Sequence, residues 1–187
     1  MTKAITVPEK MPDFFKWLDK SDFYARQVAL GYFPGKSIEY YIMTGATLLK
    51  AQKEEDWKKA QCDNFKEWVE GICKISHTQS VRMIGIARTI TPLIPKHHDL
   101  IVKIPFMNLY ELTRIIHLIN DEDKLIEMFH SAANTTERGF KDNTREIIGK
   151  LPATDTCDHM NIIKKITTVE VCRRCGKALS KKEESVE

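Results

Sequence analysis

No stretch of this 187-residue chain approaches the about 18 consecutive apolar residues that a membrane span requires, and its opening, MTKAITVPEKMPDFFKWLDK, lacks an apolar run of signal-peptide type. The expectation is a soluble, cytoplasmic protein with no membrane partner. Glycine (8) and proline (7) are scarce. There is no Gly-rich phosphate loop, no HExxH, no GxSxG elbow and no nucleophile beside a plausible base, so catalysis is not expected and no catalytic residue is assigned. Internal repeats are absent. Neither sign of charge dominates: 29 Lys and Arg face 26 Asp and Glu, and a net charge of +3 does not by itself demand a nucleic-acid partner. Five cysteines, an odd number with three gathered at Cys157, Cys172 and Cys175, argue against a disulfide framework.

What is present is ordinary globular material, 42% hydrophobic and 29% charged. At about 100–200 residues per domain the length suits one main domain and a small accessory module. Residues 1–150 read as all-α, because apolar positions recur at three and four and alternation is rare. Helical segments are expected over Asp13 to Tyr32, from Ser37 onward with departure from the core near Lys53, over Asn64 to Lys74, Ser76 to Ile90, Leu109 to Ile119, Asp121 to Ala133 and Thr136 to Lys150. Pro92 and Pro95 break the chain ahead of a linker, KHHDLIVKIPFMN. Leu151-Pro152-Ala153-Thr154 reads as a hinge. Residues 151–187 then form a separate module in which Ile162 to Val171 is β-branched strand material and KALSKKEESVE a short, fraying helix.

The sharpest geometry of the main domain lies at about 64–90. Phe65, Trp68, Val69 and Ile72 form one apolar face at i, i+3, i+4 and i+7. Ile75 fills a corner, and Ser76 with Gln79 makes a capping box that opens a new helix. Two helices joined by a short corner are the helix-turn-helix plan, whose second helix can enter the major groove. With Ser80, Met83, Ile84 and Ala87 turned inward, Thr78, Gln79, Arg82 and Arg88 face outward. Gln suits adenine and Arg suits guanine, Lys74 suits phosphate, and His77 or Thr78 suits a phosphate or a base edge. From Lys74 to Leu118 six cations (Lys74, Arg82, Arg88, Lys96, Lys103, Arg114) stand against two acids (Asp99, Glu111), with four histidines.

The run LLKAQKEEDWKKAQCDNFKEWVEGICKISHTQSVRMIGIA, from Leu48 to Ala87, resembles helix-turn-helix proteins of phages and mobile elements that are loosely ParB/KorB-like. Ile104-Pro105 with Leu109-Tyr110-Glu111-Leu112-Thr113-Arg114 looks like the helix that follows in such proteins, and Asn143-Thr144-Arg145-Glu146-Ile147 like one nearer their end. The corner departs from that pattern, since Cys73-Lys74-Ile75-Ser76 has no glycine immediately before Ile75. The resemblance implies a sequence-specific binder of double-stranded DNA, a transcriptional regulator or partition-like factor. A homodimer on paired half-sites is expected.

Near the C-terminus, Cys157-Asp158-His159 and Cys172-Arg173-Arg174-Cys175-Gly176 supply four N and S donors in two short-spaced pairs, the set a tetrahedral zinc ion takes. CRRCGKAL resembles the knuckle of zinc ribbons. Zinc held by Cys157, His159, Cys172 and Cys175 would be structural, because four protein ligands leave no position for water. His130 or Cys62 are substitutes for a member of the tighter Cys157-x-His159 pair.

The remaining chemistry-bearing residues have plainer readings. Cys62 and Cys73 are partly buried apolar groups, Trp17, Trp57 and Trp68 are core or half-core anchors, Glu54-Glu55-Asp56 is a solvated helix face, and His97-His98 is a solvent-exposed pair or at most a phosphate contact. The competing functional class is a zinc-containing protein–protein adaptor or inhibitor that docks on a host or phage complex through the C-terminal module. A third reading is RNA binding through that module.

Overall fold

A computed structural model describes residues 5–32, 37–149, 162–164, 169–172 and 178–181. The chain divides into two compact units, 1–146 and 147–187. The first unit is helical throughout its described secondary structure.

Helix α1 (Met11–Lys20) carries a proline in its first turn and buries Met11, Phe14 and Leu18, one face at helical spacing. A single helix from Asp13 to Tyr32 does not form. The Ser21 N–H and hydroxyl both donate to the Leu18 carbonyl, ending α1, and the Asp22 carboxylate accepts from Ala25 N–H at 2.8 Å to open α2 (Phe23–Tyr32). The pair Ser21-Asp22 is therefore a stop followed by an N-cap.

Helix α3 (Ile38–Lys53) starts where Ser37 accepts from Tyr40 N–H and ends at Lys53, where departure from the core was expected. Every residue from Ile42 to Leu48 is buried, so α3 is enclosed on all sides at its middle. Helix α4 (Asp56–Lys59) is one turn long and follows Glu55 in the left-handed region. The expected solvated acidic cluster holds for Glu54 and Glu55, which are exposed, and is corrected at Asp56. Asp56 is fully buried and receives Arg26 Nε at 2.7 Å and Nη2 at 2.8 Å; Arg26 is itself fully buried and also pairs with Glu54. Arg26 Nη1 donates to the Ser21 carbonyl, and Lys59 reaches Asp56 at 3.0 Å. Burial alone would raise the Asp56 carboxyl, but the hydrogen bonds from Arg26 and Lys59 outweigh it and hold the group below the ordinary carboxylate range.

Beyond α5 (Phe65–Gly71) and α6 (His77–Ile90), the expected linker is largely helix. A 3-10 turn at Thr91–Leu93 runs into α7 (Ile94–Ile101), and α8 spans Phe106–Leu112. Pro92 and Pro95 sit in first turns, where a missing N–H costs nothing, so they start elements and do not end them. The adjacent histidines part company. His97, at a kink in α7, is buried 5.4 Å from the Phe129 ring with Nε2 3.1 Å from Glu122. His98 bridges Asp99 (3.1 Å) and Glu39 (3.0 Å), and its pKa is raised by the Asp99 bond and, against some desolvation, by Glu39. Neither matches a free, solvated pair. Leu109 to Ile119 is not one helix: α8 ends at Leu112 and a 3-10 turn follows at Ile116–Leu118. Helix α9 (Glu122–Asn134) is capped by Asp121, and α10 covers Glu137–Gly149.

In the second unit β1 (Ile162–Lys164), β2 (Val169–Cys172) and β3 (Ala178–Lys181) form an antiparallel sheet in the order β1-β2-β3. Ile162 lies opposite Cys172, and β2 carries an irregularity at Glu170/Val171 in its pairing with β3. The expected C-terminal helix is corrected at Ala178–Lys181, which pairs as a strand.

Gly45 is the most closely packed of the described glycines. A Cβ there would collide with the backbone carbonyl of Met83 on α6, whereas one at Gly85 would meet nothing. Gly45→Ala is expected to cost about 1–3 kcal/mol in urea unfolding despite alanine's better helix propensity, while Gly85→Ala gains up to about 1 kcal/mol.

The Asp56 carboxylate contributes stability that is complete above its ordinary pKa of 3.8 and is lost as pH falls through the lower folded-state value. Asp56→Asn leaves Arg26 buried beside Glu54 alone, at a cost of about 3 kcal/mol at neutral pH. That deficit should shrink below about pH 4, where the wild type also loses the ion pair; unfolding curves from pH 7 to 2.5 measure it.

Candidate nucleic-acid interface

The α5–α6 pair is built by two local caps and one buried face. Asn64 accepts from Glu67 N–H at 2.9 Å to start α5, and Ser76 accepts from Gln79 N–H at 3.3 Å to start α6. Trp68 and Val69 are buried, Phe65 is half-buried, and Ile72, expected on the same face, is 47% exposed. The correction arises because α5 ends at Gly71. Ile72 N–H and Cys73 N–H both return to the Trp68 carbonyl, and Ile75 N–H to that of Val69, so the chain is already turning at Ile72. Lys74 has φ of 58°, the left-handed conformation that glycine takes most easily. It stands immediately before Ile75. His77 N–H, one of the free donors at the start of α6, is taken by the Glu70 carboxylate at 3.0 Å, linking the two helices across the corner.

Ser80, Met83, Ile84 and Ala87 are buried as expected, and Ile86 and Ile90 widen that face. It packs on α3 over Gly45, and with Leu48, Ala51, Trp68 and Val69 it encloses Met83 and Ile84 in one apolar cluster.

The expected outward residues are not equivalent. Lys74, Thr78 and Arg88 are exposed; His77, Gln79 and Arg82 are half-buried. Arg82 lies 5.5 Å from the centroid of the Tyr110 ring and its Nη1 is 3.6 Å from Met107 Sδ, so its guanidinium rests on α8. The exposed residues of α6 are Thr78, Val81 and Arg88, and Gly85 falls on the same stripe, at i, i+3, i+10 and i+7 respectively. Val81 is 50% exposed and Gly85 has open space at its missing Cβ. Val81 and Gly85 went unnoticed in the sequence as members of this stripe, although counting along the helix from Thr78 finds both.

Helix α6 contains no acid. Of the cations around it, Lys96 pairs with Glu122 at 3.7 Å and Arg114 with Glu111 at 2.8 Å. Lys74, Arg88 and Lys103 form no ion pair among the described residues.

The metal expectation rests mostly outside the described residues: Cys157, His159 and Cys175 lie there, and of Cys172 only the strand backbone is described. Among the described residues no group of three or more His, Cys, Asp or Glu is arranged to hold a metal ion. Cys62 and Cys73 are half-buried free thiols. Burial, then the neighbouring Cys62, pushes Cys73 up to about 12, and burial followed by Glu67 and Asp63 raises Cys62. Both stay protonated at neutral pH, as suits packed apolar groups. His130, the other substitute, is exposed on α9. Among the described residues no helix is long and apolar enough to cross a membrane.

No protein-family model, curated protein or solved structure matches this chain.

Lys74 carries a backbone cost that glycine does not. Lys74→Gly is expected to raise stability by about 0.5–1 kcal/mol in thermal or urea unfolding, whereas Lys74→Val, β-branched at positive φ, lowers it.

Proposed function

We propose that the helical unit binds double-stranded DNA sequence-specifically through α5 and α6, as a regulator or partition-like factor of a phage or mobile element. The observation that carries this reading is the capped corner from Ile72 to Ser76, which leads into an acid-free helix held on α3 by its buried face. Lys74, His77 and Arg88 would contact phosphate; Thr78, Gln79 and Arg82 would read bases. The left-handed Lys74 supports the reading, because it supplies the corner conformation that a glycine provides in helix-turn-helix motifs. Arg82 would act from the flank, its guanidinium already oriented by Tyr110, which reduces the ordering cost of a contact. Binding as a homodimer on paired half-sites belongs to the same proposal.

The second unit is proposed as a zinc module with Cys157, His159, Cys172 and Cys175 as ligands. Its support is the register of β1 and β2. Ile162 pairs with Cys172, so the residue that opens β1 lies opposite the donor that closes β2, and in sequence Cys157 and His159 precede the first of these as Cys175 follows the second. Zinc would supply folding energy that a small three-stranded sheet lacks.

Selection from a random duplex pool, with zinc present and again after chelation, tests both parts. The expected outcome is an enriched motif bound with a steep salt dependence. Arg82→Ala relaxes preference at one position, and Lys74→Gly weakens all sequences evenly while lowering the salt slope by about 1. Chelation should release about one zinc per chain and unfold residues 151–187 while leaving the helical signal intact. Absence of enrichment and of salt-dependent binding would overturn the DNA reading in favour of a protein adaptor.

A further inference from the structure

We infer that Val81 is a specificity residue of this interface, reading the C5-methyl group of thymine in the major groove; the inference rests on the DNA-binding reading above. The outward stripe of α6 is Thr78, Val81, Gly85 and Arg88, and its middle is uncharged. Val81 exposes half of its surface on a helix whose other large aliphatic residues, Met83, Ile84, Ile86 and Ile90, are all buried. Gly85, one turn further along, removes the side chain beside it, and nothing else occupies that space. A groove edge can therefore approach the helix backbone closely at Gly85, beside the Val81 side chain.

Charge fits DNA as the occupant. Lys74 stands just before the stripe and Arg88 at its far end, both exposed and without an ion pair among the described residues. The helix between them has no acid. The rise from His77 to Arg88, at about 1.5 Å per residue step, is roughly 16 Å, comparable with a major groove about 12 Å wide plus its flanking phosphates. Two cations at the ends and an apolar methyl-sized surface between them match phosphates on both strands with a thymine methyl in the groove. Arg82 and Gln79, half-buried on the flank toward α8, would then contribute to readout less directly than Val81 does.

The experiment uses the full chain and the duplex recovered from the random pool, synthesised with thymine or with uracil at each T of the half-site. Uracil differs only by the missing methyl group. At one or two positions uracil should weaken wild-type binding roughly fourfold, the effect of taking one methyl out of contact. Val81→Ala should bind the thymine duplex more weakly by a similar factor and no longer distinguish uracil from thymine, with unfolding curves unchanged. Equal wild-type affinity for the thymine and uracil duplexes would overturn the inference and leave DNA binding standing. Loss of self-association in Val81→Ala by sedimentation, with the uracil response retained, would also overturn it and assign the face to a second copy of the chain. Failure of the wild type to bind any duplex would remove the DNA reading itself.

Discussion

The close crossing of α3 and α6 is the constraint on which the helical unit depends. Two helix backbones approach only where a side chain is missing, and Gly45 supplies that gap directly opposite the Met83 carbonyl. With the contact made, α3 is enclosed on all sides along its middle and α6 has one sealed face. The remaining face of α6 is then fixed in direction. Thr78, Val81, Gly85 and Arg88 point away from the core because Ser80, Met83, Ile84 and Ala87 cannot.

A second fixed point acts at the C-terminal end of α3. Arg26 on α2 binds Asp56, Glu54 and the Ser21 carbonyl, gathering the end of α1, α2 and the start of α4 around one buried guanidinium. A buried ion pair of this kind is weak evidence for net stability, yet it fixes an arrangement, since four hydrogen bonds from one side chain must meet the Ser21 carbonyl and the Glu54 and Asp56 carboxylates together. The apolar contact at Gly45 and the polar one at Arg26 thus constrain the same helix by different physics.

Much of this architecture was legible locally. Ser37, Asn64, Ser76 and Asp121 are N-caps that mark helix starts to within a residue, and the inward face of α6 follows from spacing alone. The failures share a cause, which is dependence on distant partners. Asp56 reads as solvated, like its exposed neighbours Glu54 and Glu55, until Arg26, thirty positions upstream, is brought beside it. His97 reads as exposed until Phe129 and Glu122 are brought beside it. Val81 is a different case: its outward position follows from helical spacing, but an exposed aliphatic draws no notice when charged residues are sought as readers. At the C-terminal end β3 falls in a sequence rich in lysine and serine, where only pairing with β2 makes a strand.

The buried Asn108 of α8 has a consequence for how the unit assembles. Its Nδ2 donates at 2.8 Å to the carbonyls of both Ala132 and Thr135, so acceptors left open at the end of α9 are satisfied by a residue 24 and 27 positions upstream. No local turn completes α9 in their place. The last turn of α9 can therefore become fully bonded only after α8 has docked, which puts loop closure ahead of helix completion in time. The two helices would condense as one kinetic unit, with the end of α9 fraying whenever α8 lifts away.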